Sequence, residues 1–184
     1  LFDELVGGKL QRTGWLGRPV GPHQRLALAM PNLLDASLEE HVVGTNIATT
    51  QVDSQVNIAP KQPTETKSLA FRLVDIPCRQ GEDLLLRLTV SASPRPGWPE
   101  AIPRHMTIRP TEGEFDALDS YVGTDPFTAT FYFRDMPTDQ VTLQLQIEGD
   151  EAVTLHAAEA YAHADAGYRL FEHGLVLANP SNRP

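Results

Sequence analysis

Cysteine, aromatic residues and long apolar runs are all scarce in this chain of 184 residues. Cys78 is the only cysteine, so no disulfide can form within the chain, and a secreted or periplasmic compartment is neither required nor excluded. Aromatic residues make up 7% of the sequence, which leaves few rings for a stacking site. The longest apolar runs are far shorter than the roughly 20 residues that a membrane-spanning helix needs.

Basic residues are also in deficit, because 15 Lys and Arg stand against 24 Asp and Glu and give a formal net charge of −9. A surface with this charge repels phosphate backbones and anionic lipid, and no cluster of Lys and Arg reverses it locally. The composition therefore argues against nucleic acid and membranes as partners.

Sequence motifs for catalysis are missing as well. The chain holds no H-E-x-x-H, G-x-S-x-G, C-x-x-C, P-loop or G-x-G-x-x-G pattern. Cys78 follows a proline and is predicted to be a small buried hydrophobe instead of a nucleophile. These absences leave little support for an enzyme whose active site lies wholly within this chain.

Alternation with a period of two is the strongest pattern that the sequence does contain. From Phe127 to Phe133, and again from Val141 to Ile147, every second residue is apolar and the residues between are Thr, Tyr or Gln. This period is that of a β-strand with one buried face and one polar face, and the two strands are predicted to pair as a hairpin. The polar face carries hydroxyls and amides with few charges, which suits a neutral, hydroxyl-rich ligand as well as it suits solvent.

Similar strands recur along the chain, and helical periodicity is nearly absent between them. Residues 68–91 are predicted to form a second hairpin, and the other strand candidates are residues 26–30, 46–59, 105–109 and 153–161. Turn-rich segments with Gly and Pro separate them. The spacing favours an all-β fold, an antiparallel β-sandwich of jelly-roll type, over alternating β and α units.

The pattern is weaker at both ends of the sandwich. Residues 1–25 begin with apolar residues at helical spacing and continue through a stretch rich in Gly and Pro, so they are predicted to form a short helical turn and an interdomain connection. Residues 26–165 are predicted to be the β-sandwich, and residues 166–184 to begin a following β-element whose two short strands lack a third partner. With neither an initiator Met nor a signal-like apolar stretch, the sequence is expected to be a piece of a longer protein.

Several segments resemble a family of accessory modules. The order of SLAFRLVDIP, LLLRLTVS, FYF and TLHAAEAYAHAD is similar to that in galactose-binding-like jelly-roll modules, which are attached to many glycoside hydrolases. The tail YRLFEHGLVLANPS is similar to a segment of the β-domain that follows the barrel of some glycosidases, and GWLGRPVGP is similar to the segment leaving such a barrel. The resemblance implies a carbohydrate-binding-module-like accessory domain of a multidomain glycoside hydrolase. It implies as partners a neutral oligo- or polysaccharide and the catalytic domain of the same polypeptide, and it supplies no catalytic residue.

Aromatic rings are the candidates for saccharide contact, because modules of this kind lay Trp or Tyr rings against the apolar face of a sugar. Trp98 lies in a Pro-Gly-Trp-Pro stretch that stiffens its loop, Tyr121 ends an acidic loop, and Tyr132 lies on the polar face of its strand. These three are the predicted ligand-binding residues. Packing of Trp98 at the edge of the sandwich is the alternative, and Trp15 is predicted to pack between domains.

An acidic stretch offers hard oxygen ligands at Glu112, Glu114, Asp116 and Asp119. Modules that this chain resembles often hold a structural calcium, and carboxylates suit that ion. A solvated charged loop is the other interpretation, since the spacing does not match an EF-hand, and no other cofactor is expected. A glycosidase pair is not predicted, because closeness in sequence does not establish the separation of roughly 5 to 9 Å that such a pair needs.

His156, Glu159 and His163 are spaced so that a helix would place all three on one face as metal ligands. The segment begins as a strand, however, and in a regular strand His156 points away from Glu159 and His163. We therefore expect no zinc site there.

Two functional hypotheses of different classes remain. The first is a non-catalytic module of a larger glycoside hydrolase, which binds carbohydrate or only braces the catalytic domain. The second is a structural or protein-interaction β-sandwich with no ligand, which the scarcity of aromatic residues supports.

Replacing Trp98 by Ala tests the stacking candidate. If the chain binds saccharide through Trp98, the heat of titration with neutral oligosaccharides is lost in Trp98→Ala, because the native ring sits in a stiff loop that loses little entropy on binding. Affinity is expected to rise with oligosaccharide length as more rings are engaged. Binding that survives the substitution unchanged removes Trp98 from the site.

Overall fold

The computed structural model describes residues 5–6, 9–10, 16–34, 37–62, 67–97, 99 and 102–181. Strands account for more than half of these described residues, as the alternating pattern predicts. The strands in chain order are β1 (Leu5–Val6), β2 (Lys9–Leu10), β3 (Gln24–Arg25), β4 (Val42–Val43), β5 (Ile47–Val52), β6 (Gln55–Pro60), β7 (Ser68–Pro77), β8 (Leu84–Ala92), β9 (Arg104–Pro110), β10 (Leu118–Val122), β11 (Phe127–Phe133), β12 (Gln140–Glu148), β13 (Val153–Tyr161), β14 (Gly167–Phe171) and β15 (Gly174–Ala178). Between them lie a 3-10 turn (Ala27–Ala29) and a single helical turn, α1 (Leu38–His41). Across the described ranges, no helix is both long enough and apolar enough to cross a membrane.

Two five-stranded antiparallel sheets pack face to face. The first sheet has the strand order β10-β9-β12-β7-β4, and the second has the order β11-β8-β13-β6-β5. In β9 and β12 every second residue is buried between the sheets, and the residues that alternate with them point outward. This arrangement confirms the predicted all-β sandwich of jelly-roll type.

A single large apolar cluster fills the space between the two sheets. It draws residues from both, from Leu34 near α1 to Ala160 in β13, and includes fully buried side chains such as Leu73, Leu88 and Leu143. Burying a side chain of this size stabilises the fold by about 1.5–3 kcal/mol.

Cys78 belongs to this cluster, as predicted for a small buried hydrophobe. Burial, together with the nearby carboxylates of Glu82, Asp83 and Asp139, raises the pKa of its thiol to about 11. The thiol therefore stays protonated and unreactive near neutral pH.

The two predicted hairpins are wrong, although the strands within them are right. β11 pairs with β8 in the second sheet, whereas β12 pairs with β7 and β9 in the first. The strands of the other predicted hairpin, β7 and β8, also lie in different sheets. Alternation shows that a strand has one buried face, but it does not show whether the next strand lies beside it or across the core. In this chain the connections from β7 to β8 and from β11 to β12 lead from one sheet to the other. The apolar faces of these successive strands therefore meet inside the sandwich.

The last two strands and β3 form a three-stranded sheet with the order β15-β14-β3, which we call the small sheet. The prediction that residues 166–184 lack a third strand is therefore wrong, because Gly167 and Tyr168 pair with Arg25 and Gln24. A Cβ atom at Gly167 would lie 2.6 Å from the Gln24 carbonyl oxygen, so glycine permits this close approach.

Two other segments near the N-terminal end differ from their predictions. The predicted strand at residues 26–30 is wrong, because Ala27–Ala29 form the 3-10 turn. Leu5–Val6 pair with Lys9–Leu10 as β1 and β2, which differs from the predicted helical turn. Short apolar stretches of this kind fit helix and strand equally well, and pairing decides between them. The division into an interdomain connection at residues 1–25, a sandwich domain at 26–165 and the start of a following β-element at 166–184 stays a prediction.

Arg104, the first residue of β9, joins two loops at one end of the sandwich. Its side chain is only 7% exposed, and its guanidinium lies 3.3 Å from the Glu151 carboxylate. It also donates hydrogen bonds to the carbonyl oxygens of Ser93 and Glu151. Desolvation lowers the pKa of Arg104 from its ordinary value, and the charge of Glu151 opposes that shift. Arg95 contacts the same Glu151 carboxylate at 3.5 Å, so the two cations share this anion.

Replacing Arg104 by Met is expected to destabilise the fold. The free energy of unfolding should fall by about 3 kcal/mol, the lower end for a broken buried ion pair, because Arg95 still faces Glu151. Arg109→Met on the same strand is the matched control, since Arg109 is exposed and makes one hydrogen bond of 3.3 Å to Gln144. Its effect should stay within about 0.5 kcal/mol. Equal effects in urea denaturation would contradict the role assigned to Arg104.

Candidate functional site

The outer face of the second sheet carries a continuous set of polar side chains, which we call the polar face. Alternate residues of β6, β8, β11 and β13 fill the core, so the residues between them point outward. The polar face consists of Asn57, Arg87, Thr89, Ser91, Thr128, Thr130, Thr154, His156 and Glu159. Hydroxyl, amide and imidazole groups therefore predominate over charged groups.

One ion pair lies at the centre of the polar face. The strand register places Thr130, Arg87 and Glu159 side by side on β11, β8 and β13. The Arg87 guanidinium donates to the Glu159 carboxylate at 2.7 Å, and the Tyr161 hydroxyl donates to the same carboxylate at 3.3 Å. The positive charge of Arg87 and the negative charge of Glu159 thus neutralise each other.

Neutral hydrogen bonds link the remaining residues across neighbouring strands. They join Thr89 with Thr128 at 2.8 Å, Ser91 with the His156 Nε2 atom at 2.8 Å, and the Asn57 amide with Thr154 at 3.3 Å. Each hydroxyl keeps further donor or acceptor capacity after one such bond. The polar face is therefore an ordered array of groups that can both donate and accept.

A β-bulge in β13 places His156 and Glu159 on the same face of the sheet. The pairing of β13 with β8 shifts between Leu155 and Ala157, and the buried positions change there from odd to even residue numbers. The expectation that His156 points away from Glu159 is therefore wrong, because an extra residue in the strand reverses the alternation. A bulge leaves no clear signal in an Ala-rich sequence such as this one.

A groove of about 470 Å³ borders the polar face. On one side stand β3 and the 3-10 turn, which packs through Ala27 on Leu85 and Tyr161 of the sheet. On the other side are Arg87 and Thr130 of the polar face. The lining residues are His23, Gln24, Arg25, Leu28, Ala29, Arg87 and Thr130, and none of them is a carboxylate.

Tyr132, one of the predicted ligand-binding residues, lies at the end of the polar face, two positions along β11 from Thr130. Its ring packs on the cluster of Ala27, Leu85 and Tyr161, and its hydroxyl donates a hydrogen bond to Asp83. The second oxygen of Asp83 accepts from the backbone N–H of Asp135 at 3.0 Å. The Tyr132 ring is thus partly covered, and its hydroxyl is held by the protein.

Tyr121, the second predicted residue, lies on the opposite outer face of the sandwich. It is 60% exposed on β10 of the first sheet, and its ring centre lies 5.7 Å from that of His105. The structure therefore does not bring Tyr121 and Tyr132 together. Trp98 and Trp15 lie outside the described residues.

The four acidic candidates for calcium are not gathered around one point. Glu112 accepts hydrogen bonds from the Thr142 backbone N–H at 3.1 Å and from the Thr111 hydroxyl at 2.8 Å. Asp119 is bonded to His105 at 2.7 Å. Within the part of the chain that the structure describes, no group of three or more His, Cys, Asp or Glu residues is arranged to hold a metal ion.

Comparison with known proteins finds similarity at the level of solved structures alone. No protein-family model and no curated protein sequence matches the chain. The CBM22-1 xylan-binding domain of Xyn10C from Paenibacillus barcinonensis is 12% identical, with a TM-score of 0.49, covering 72% of this chain and 93% of that one. TmCBM61 in complex with β-1,4-galactotriose is 10% identical, with a TM-score of 0.47, covering 73% and 100%. The module CBM6cm-2 of Cellvibrio mixtus lichenase 5A, in complex with cellotriose, is 10% identical, with a TM-score of 0.44, covering 71% and 98%.

These neighbours are carbohydrate-binding modules, and what they have in common with this chain is a β-sandwich architecture. Identities and TM-scores at this level assign no ligand to this chain. The residues of the polar face and the groove must carry any functional argument.

Titration of Tyr132 provides a test of its contact with Asp83. Burial, aided by the hydrogen bond to Asp83 and the charge of that carboxylate, raises the pKa of Tyr132 to about 12. A raised pKa means that this stabilisation is complete below the ordinary value near 10 and is lost as the pH rises through 12. The free energy of unfolding should therefore fall more steeply between pH 10 and 12 in the native protein than in Tyr132→Phe.

At neutral pH, Tyr132→Phe should lower the free energy of unfolding by about 1–3 kcal/mol, because the buried Asp83 carboxylate loses the hydrogen bond from the Tyr132 hydroxyl. The exposed Tyr121→Phe is the matched control and should change little. Identical pH profiles for native protein and Tyr132→Phe in urea denaturation would show that Asp83 does not hold the hydroxyl.

Proposed function

We propose that this chain is a carbohydrate-binding module that holds a neutral oligo- or polysaccharide on the polar face, with part of the ligand in the groove. The observation that carries the proposal is a face of hydroxyl, amide and imidazole groups whose two charged residues, Arg87 and Glu159, are paired with each other at 2.7 Å.

The chemistry of the polar face matches that of sugar hydroxyls. A sugar hydroxyl both donates and accepts hydrogen bonds, as do the hydroxyls of Thr89, Thr128 and Ser91. Cross-strand hydrogen bonds already fix these side chains, so a ligand would have little rotamer freedom to remove from them. This ordering favours binding of a ligand that makes many weak polar contacts.

The charge balance of the site favours a neutral ligand over an anionic one. Arg87 is paired with Glu159, and Arg25 in the groove lies 3.5 Å from Asp165. An anionic polymer would need cations that are free to pair with it, while the chain as a whole carries a net charge of −9. A neutral polyhydroxy chain has no such need.

The groove adds a partly apolar wall. Leu28 is 38% exposed and lies beside Ala29 and opposite Thr130. Sugar rings present C–H groups as well as hydroxyls, so a wall of this kind complements the polar groups across the groove.

The wider context belongs to the same proposal. We infer a non-catalytic role as an accessory module of a larger glycoside hydrolase, with the catalytic domain of the same polypeptide as partner. The resemblance of residues 14–22 and 168–181 supports this context, and the groove lining offers no carboxylate, whereas glycosidases use two. Trp98 as a stacking residue and a structural calcium at the acidic loop stay proposals.

Calorimetric titration tests the site. The ligand panel consists of xylo-, cello- and galacto-oligosaccharides, the neutral sugars named for the similar modules. The native chain should bind at least one of them, and Arg87→Ala with Glu159→Ala should weaken that binding about tenfold or more, because charge-assisted hydrogen bonds contribute roughly 1.5–3 kcal/mol. Removing both partners leaves no unpaired charge on the sheet.

The matched control removes His105 and Asp119, a hydrogen-bonded pair on the opposite outer face. Binding should be unchanged in His105→Ala with Asp119→Ala. Loss of binding in this control alone would move the site to the surface around Tyr121. No heat with any glycan would favour the structural sandwich without a ligand.

A further inference from the structure

Exposed apolar side chains concentrate on the small sheet. Leu170, Leu175 and Leu177 are 49%, 48% and 71% exposed. The register places Leu170 opposite Leu175 and Tyr168 opposite Leu177, so these four side chains share one face of the sheet. Clusters of exposed apolar residues usually mark contact surfaces.

β15 is the edge of this sheet. Among the residues that the structure describes, its one neighbouring strand is β14. Its five residues include no Lys, no Pro and no bulge, which are the features that natural edge strands use to prevent pairing with another chain. Every second N–H and C=O group along this edge is directed away from β14 and can pair with an additional extended strand.

We propose that β15 pairs antiparallel with β15 of a second copy of this chain, about a two-fold axis at Val176. In this register Leu175 lies opposite Leu177 of the second copy, and Leu177 lies opposite its Leu175. The exposed leucines of the two small sheets then form one continuous apolar face. The proposal does not rest on saccharide binding.

The sequence of β15 selects a second copy over an unrelated strand. Its residues, Gly-Leu-Val-Leu-Ala, are nearly symmetric about Val176, with a leucine on each side and a small residue at each end. A two-fold interface requires a surface that complements itself, and this strand meets that requirement. An unrelated partner would gain nothing from the symmetry.

Charge does not prevent this pairing at physiological salt. No residue of β15 is charged, so repulsion between two copies comes from the rest of each chain, with its net charge of −9. Charges farther apart than the Debye length, about 8 Å at physiological ionic strength, are largely screened. The association is therefore expected to strengthen as salt is added.

Disulfide trapping tests the register. In an antiparallel pair, opposite Cα atoms are about 4.5–5.5 Å apart, which lies within the range that a disulfide spans. Val176→Cys should therefore form a covalent dimer on mild oxidation, and mixing Leu175→Cys with Leu177→Cys should give a cross-linked pair. Cys78 contributes little background, because it is buried and its pKa is raised to about 11.

Val52→Cys is the matched control, since Val52 is 62% exposed at the end of another edge strand, β5. It should cross-link at least about tenfold more slowly than Val176→Cys, because β5 lacks a self-complementary apolar edge. Equal rates for the two variants would overturn the proposal.

Sedimentation equilibrium of the native chain provides an independent measurement. A monomer–dimer equilibrium is expected, and Leu177→Lys should weaken it at least about tenfold, because a symmetric dimer acquires two ammonium groups at its apolar face. Val52→Lys should leave it unchanged. A native chain that stays monomeric at every concentration and salt level, or a dimer that Leu177→Lys does not weaken, would overturn the proposal.

Discussion

Burial of one face of every long strand is the constraint on which the rest of this structure depends. A sheet with one apolar face is stable in water when a second apolar face covers it, and the two five-stranded sheets cover each other. Leu73 in the first sheet and Leu88 in the second are both fully buried in the same cluster. The polar residues that alternate with them are left on the two outer faces.

The polar face follows from this constraint, because fixing the inward residues also fixes the outward ones. Arg87 and Glu159 are 72 positions apart in sequence, yet the pairing of β8 with β13 places them opposite each other. The ion pair and the neutral hydrogen bonds beside it leave no unpaired charge among the outward residues of the polar face. Packing of the inner faces thereby leaves an outer surface on which hydroxyl, amide and imidazole groups predominate.

The small sheet differs from the sandwich because the leucines on its apolar face, Leu170, Leu175 and Leu177, are exposed. β3 and the 3-10 turn connect the two parts of the molecule. Gln24 and Arg25 pair with β14, while Ala27 packs on Leu85 and Tyr161 of the second sheet. The groove beside the polar face exists because this connection passes over the sheet, so the candidate site depends on a segment outside the sandwich.

Local sequence determined which residues form the long strands, which of their faces are buried, and that Cys78 is an inert part of the core. It also revealed the hydroxyl-rich character of the outward positions, since period-two alternation depends on neighbouring residues alone. Tertiary structure decided which strands pair, because alternation is the same for a neighbour in one sheet and a partner across the core. It also decided that His156 and Glu159 share the polar face, because a bulge in β13 reverses the alternation between them. It placed Tyr121 and Tyr132 on opposite outer faces of the sandwich.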